Sequence, residues 1–116
     1  MGAVAAINPK VLGDLRALQS GGFLAELIDL FLKEAAVHLS KLRESLASRD
    51  ARTFERSAHA LKGSCGNLGA QAMSRMCADL QSAGHAVDWA RAERLIPGLE
   101  EEFLAVTREL EAEKGR

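Results

Sequence analysis

Apolar residues recur along this chain at the three- and four-residue steps of an α-helix, most plainly where Phe54, Ala58, Leu61, Cys65 and Leu68 follow one another without a break. That spacing gathers them on one stripe, the seam of a helix that packs into a bundle. Alanine and leucine dominate, tyrosine is absent, and β-branched residues are thin and scattered, so helix is favoured over strand at every stretch. The fold class expected is all-α.

Punctuation divides the chain into five helical segments. Asn8-Pro9 supplies an N-cap followed by a proline at the first helical position, and Val11, Leu12, Leu15 and Leu18 continue a short helix over about residues 9 to 18. Ser20-Gly21-Gly22 interrupts it. Leu24, Leu27, Phe31, Ala35, Leu42 and Leu46 then mark one face of a helix ending near Ser48, roughly 40 Å long at 1.5 Å per residue. Asp50 can cap a third helix that ends in Gly66-Asn67-Leu68-Gly69. A fourth runs from about Ala70 to Ala83 with Met73, Met76, Cys77 and Leu80 inward, and Gly84 is placed to stop it. Asp88 can cap the last, whose inward set reads Trp89, Leu95, Leu99, Phe103, Val106 and Leu110, with a kink or a fresh start at Pro97 and a fraying tail from Glu111 to Arg116. Such short connections make neighbouring helices antiparallel. The architecture expected is an antiparallel four-helix bundle with a short extra N-terminal helix, one domain over residues 1–116 and ordered over about 8–112.

The charges bound the partners. Fifteen Lys and Arg against sixteen Asp and Glu leave a formal net charge of -1. With both signs interspersed, there is no footprint for nucleic acid and no polybasic segment for a membrane surface. The apolar runs are too short to span a bilayer, and Met1 to Ala6 lacks the pattern of a signal peptide, so a monomer in the cytoplasm with a protein partner is expected. Cys65 and Cys77 match neither a redox pair nor a zinc motif and read as small reduced core residues.

With the stripe of the third helix turned to the core, His59 points roughly 140° away from it, beside Lys62 at about 80°, Gly66 at about 120° and Gly63 at about 180°. Each glycine inside a helix costs about 0.5 to 1 kcal/mol relative to alanine, and packing gives no reason for two of them on an exposed face. Something large must approach the backbone beside the histidine. Lys62, one turn further, can set an ammonium next to any charge the imidazole acquires.

Ala58-His59-Ala60-Leu61-Lys62-Gly63-Ser64, followed by Leu68-Gly69-Ala70, resembles the A-H-x-L-K-G-S-x-x-x-L-G-A signature of histidine-containing phosphotransfer (HPt) domains. Leu27-Ile28-Asp29-Leu30-Phe31 and the turn at Asp50 extend the likeness over nearly the whole chain. The resemblance implies that His59 is phosphorylated, that Lys62 is its electrostatic neighbour and that Gly63 admits the partner. It also implies that Gln81, on the next helix, takes a place where the family often has Glu or Gln. The partners implied are receiver domains of response regulators or of a hybrid histidine kinase, which contribute the Mg²⁺. The chain itself needs no cofactor and no metal, and is a carrier without ATPase or hydrolase activity. His38 departs from the aliphatic residue usual in the family.

Other readings stand beside this one. The chain could be the phosphorylated domain of a chemotaxis-type kinase, or a helical adaptor whose histidine is never modified. Ser64 lies five residues after His59, on a different face, with no carboxylate obviously placed to make a triad. Arg49, Arg52 and Arg56 flank the histidine face and could meet an acidic partner surface or simply be solvated. His38 reads as a packing residue with a hydrogen-bond partner, and His85 as a solvated loop residue.

Overall fold

Three tight connections set the architecture of the computed structural model, which describes residues 5–18 and 22–115. The helices are α1 (Pro9–Leu18), α2 (Phe23–Ser48), α3 (Ala51–Asn67), α4 (Gln71–His85) and α5 (Trp89–Lys114), with no strand among the described residues. Between α2 and α3, Arg49 takes a left-handed backbone (φ 58°), and the Asp50 carboxylate accepts hydrogen bonds from the Thr53 amide (3.1 Å) and hydroxyl (2.7 Å). Those bonds hold the Asp50 carboxyl below the usual carboxylate range, the Thr53 hydroxyl contributing most. Between α3 and α4, Gly69 is left-handed (φ 79°), and a Cβ there would sit 2.9 Å from that of Val11. Glycine is needed both for the turn and for the approach of α1. Between α4 and α5, Val87 is left-handed (φ 54°) while the Asp88 carboxylate accepts from the Arg91 amide.

Helices α2 to α5 form the antiparallel bundle, α3 and α5 each packing against both α2 and α4. The segment before α1 and α1 itself close one end. Ala6 and Ile7 are buried, and their amides donate to the two carboxylate oxygens of Glu109 (2.6 and 2.9 Å). The Asn8 amide donates to the carbonyl of Gly69 (2.8 Å), and Asn8 Oδ1 accepts from the Lys10 amide, as its capping position suggests. The Ser20-Gly21 part of the expected break lies outside the described residues.

The helix pattern of the sequence holds, with local corrections. In α2 the buried stripe turns toward Ile28 and Ser45, leaving Leu27 and Leu46 at its margin; the Ser45 hydroxyl is satisfied by the Lys41 carbonyl (2.7 Å). In α5, Ala92 and Ile96 are buried while Trp89, Leu95 and Phe103 only flank the core. Helix α5 passes through the exposed Pro97 as one helix, without a fresh start. Its last turn is pinned, contrary to the expected fraying: Glu113 is buried and accepts two bonds from the Arg16 guanidinium (2.6 and 2.8 Å), and Lys114 pairs with Asp29. His38 is half-buried, but its Nδ1 lacks the hydrogen-bond partner expected of it among the described residues.

Gly84 does not stop α4. It lies buried inside the helix against Phe54, where a Cβ would stand 2.8 Å from Cδ1 of that ring. Phe54 is fully buried and lies edge-on to Trp89 (5.7 Å between centroids, 84° between planes), so it has little room to yield. Gly84→Ala should therefore destabilise the domain by about 1 to 3 kcal/mol, the usual cost of overpacking, outweighing the gain in helix propensity. Urea denaturation measures it.

Candidate functional site

The rotation of α3 decides what the site contains. Phe54, Ser57, Ala58, Leu61 and Cys65 face inward, which leaves His59 exposed, Lys62 half-buried, and Gly63 and Gly66 exposed. A Cβ built at either glycine meets nothing within 4 Å. His59 stands at the midpoint of this 17-residue helix, away from the unsatisfied groups at its ends. The backbone beneath it is consequently rigid and carries no terminal charge.

An open cavity of about 410 Å³ lies against the imidazole, lined by Arg52, Glu55, Arg56, His59 and Gln81. The structure thus brings Gln81 of α4 and the two arginines to His59, while Lys62, Gly63 and Gly66 lie one to two turns further along α3, outside the cavity wall. None of the salt bridges among the described residues involves Arg52, Arg56 or Lys62. Arg52 lies near enough to the Asp50 carboxylate to help lower it, which leaves Arg56 and Lys62 as cations without an ion pair among the described residues. Helices α3 and α4 are stitched together here, the Ser74 hydroxyl donating to the Lys62 carbonyl (3.1 Å).

Glu55 is not among the site residues the sequence suggests, where no carboxylate is obviously placed to make a triad with His59. It sits one helical turn before His59, a spacing that places two side chains on one face and could have revealed it. Its carboxylate approaches His85 Nδ1 at 3.3 Å. His85 is accordingly the exposed last residue of α4, in contact with α3, rather than a free loop residue.

Arg49 leaves the group of flanking arginines. Its guanidinium donates to Glu93 (2.7 Å) and to the Leu46 carbonyl (3.0 Å), and lies 5.5 Å from the centroid of the Trp89 ring, tying the α2–α3 turn to α5. The Ser64 hydroxyl donates to the Ala60 carbonyl (3.2 Å), as expected of a helical serine with no part in catalysis. Cys65 and Cys77 are free and buried, and the Cys65 thiol is pushed far up, first by its hydrogen bond with Cys77 and then by burial. Protonated thiols of this kind are inert.

A solvent-facing imidazole flanked by uncommitted cations, on a helix bared by glycine, suits transient attachment of an anionic group delivered by a bulky partner. Residues 26–113 match the Hpt domain family, and the chain belongs to that family. Its role is histidine phosphotransfer in a phosphorelay. Among solved structures it is similar to the histidine-containing phosphotransfer protein HptB of Pseudomonas aeruginosa, at 26% identity over 98% of each chain with a TM-score of 0.91. The fold is also shared with ZmHP2, a histidine-containing phosphotransfer protein of maize, at 22% identity over 93% of this chain and 82% of that one, TM-score 0.85. No curated protein matches the sequence.

The empty space around Gly63 carries a stability consequence opposite in sign to that at Gly84. Gly63→Ala should raise the unfolding free energy by about 0.5 to 1 kcal/mol, since a methyl there improves helix propensity and strikes nothing. Chemical denaturation checks the sign.

Proposed function

We propose that His59 is the residue that carries the phosphoryl group, accepting it from the aspartyl phosphate of one receiver domain and passing it to the aspartate of another. The observation that carries this reading is the placement of His59 alone among the three histidines: exposed at the centre of α3, beside a bare glycine face and unpaired cations. His38 is half-buried and His85 is engaged with Glu55.

The chemistry asks for a neutral imidazole nitrogen in line with the phosphorus, and for neutralisation of charge more than covalent help. The imidazole nitrogen attacks phosphorus as the bond to the receiver's carboxylate oxygen breaks, and the electron pair leaves on that carboxylate. Lys62, Arg52 and Arg56 offer positive charge to the transferring group and to an acidic receiver surface. Gln81, on the cavity wall, can donate its amide hydrogens to a phosphoryl oxygen. Gly63 and Gly66 leave room for the receiver to bring its aspartate within reach. The Mg²⁺ required by the exchange belongs on the receiver. On this reading the chain works as a cytoplasmic monomer without ATPase or hydrolase activity of its own; none of its described helices is long and apolar enough to cross a membrane.

His59→Gln should fold as the wild type does and take no label from a phosphorylated receiver. Label that survives this change and vanishes with His38→Gln or His85→Gln would overturn the assignment. Gly63 separates docking from intrinsic reactivity. Gly63→Gln should keep or gain stability and still react with a small acyl phosphate or phosphoramidate, yet lose about a hundredfold in transfer from the receiver, the scale of a displacement near 1 Å. Equal losses with both donors would show that the glycine serves the histidine rather than the partner.

A further inference from the structure

Glu55 is the one carboxylate among the residues lining the His59 cavity, whose other members are Arg52, Arg56, His59 and Gln81. Residues four apart on a helix have their Cβ atoms about 5 to 6 Å apart, so its charge lies within a few ångströms of whatever His59 carries. No hydrogen bond joins it to His59 among the described residues; its contact is with His85, Nδ1 to Oε2 3.3 Å, and its side chain keeps 35% of its exposure. The carboxylate is therefore held at the rim of the cavity, aimed at α4, and does not fix the imidazole's tautomer as the acid of a triad would. A phosphoryl group adds about 1.5 to 2 negative charges at neutral pH. Placed on His59, that charge would face Arg52, Arg56 and Lys62 of its own helix, and also one anion, Glu55.

We propose that Glu55 destabilises the phosphorylated form of His59 by like-charge repulsion and thereby sets the transfer potential of the carrier. This rests on His59 being the phosphorylated residue. In the onward step the phosphorus–nitrogen bond breaks as a receiver carboxylate oxygen forms its bond to phosphorus, and the electron pair stays on the imidazole nitrogen. The repulsion with Glu55 is relieved as the phosphoryl group departs. The cations draw the group in, and the carboxylate keeps it from resting there.

The test uses the whole chain and a panel of purified receiver domains loaded with a small acyl phosphate, the receiver that exchanges fastest with the wild type being used throughout. Glu55→Gln keeps size and hydrogen bonding but removes the charge, and should shift the receiver–His59 equilibrium toward phosphorylated His59 by about three- to tenfold at low salt, less at high salt. Glu55→Asp, which keeps the charge, should stay within about twofold of wild type. A second readout needs no partner: after loading with a phosphoramidate, the protonation midpoint of the phosphoryl group, followed by its phosphorus resonance, should fall by about 0.2 to 0.5 unit in Glu55→Gln, since the midpoint reads one of the charges that the equilibrium reads together. An unchanged equilibrium and midpoint in Glu55→Gln, or an equal shift in Glu55→Asp, would overturn the role of Glu55 while leaving His59 as the acceptor. Failure of the wild type to take label at His59 would instead overturn the reading on which it rests.

Discussion

Burial of Phe54 is the interaction on which the site depends. The ring is fully enclosed, edge-on to Trp89 of α5 and pressed against the backbone of α4 where Gly84 leaves no side chain in the way. A buried aromatic contributes on the order of 3 kcal/mol by its area alone, so α3 cannot turn about its axis without losing it. His59 follows five residues later, roughly 140° around the helix. The contact that fixes α3 in the bundle thus also aims the imidazole at solvent, and three helices share in holding that angle.

Charged contacts act on a different problem, the alignment of α2 and α5 along their length. Asp29 pairs with Lys114, Arg43 with Glu100 and Arg49 with Glu93, three pairs that run along the antiparallel seam from one end of the bundle to the other. Such pairs are individually too weak to hold the fold, but a shift of one helical turn would break all of them together. Glu113 is a different case, because its side chain is only 5% exposed. Arg16 donates two hydrogen bonds to this buried carboxylate, so α1 is tied to the end of α5 by more than its short apolar face.

The sequence disclosed most where the physics is local. The caps at Asn8, Asp50 and Asp88 and the face shared by His59, Lys62, Gly63 and Gly66 follow from residues within a turn or two of one another, and the structure keeps all of them. It misled where a residue answers to something distant. Gly84 has the look of a helix stop, and only the position of Phe54, thirty residues earlier, shows it to be a packing glycine. A charged tail reads as frayed until Arg16 and Asp29 are found beside it. Leu27 and Ile28 are equally apolar neighbours, so a wheel cannot choose between them; the position of α2 against its neighbours does. Glu55 is legible by spacing alone, one helical turn before the histidine, but only the fold shows that it shares a cavity wall with Gln81 of α4.

With the phosphoryl group assigned to His59 as proposed, two requirements meet there, and different features answer them. Transfer in line demands a geometry fixed to within about 1 Å, since larger errors cost orders of magnitude in rate. The bond from Ser74 to the Lys62 carbonyl and the buried Cys65–Cys77 contact lock α3 to α4 just beyond the histidine, while Phe54 and Gly84 lock them just before it. Gln81 and His59 are consequently presented by two helices that cannot slide against each other. A carrier must also release what it accepts, and rigid packing does nothing for that. On the proposed reading, reversibility comes from the balance of charge around the imidazole, with Arg52, Arg56 and Glu55 on the cavity wall and Lys62 one turn further along α3. Arg52 and Arg56 are exposed and Glu55 and Lys62 half-buried, all of them apart from the core contacts that fix the rotation of α3, so on the proposed reading the affinity for phosphoryl is set by groups other than those of the frame that positions it.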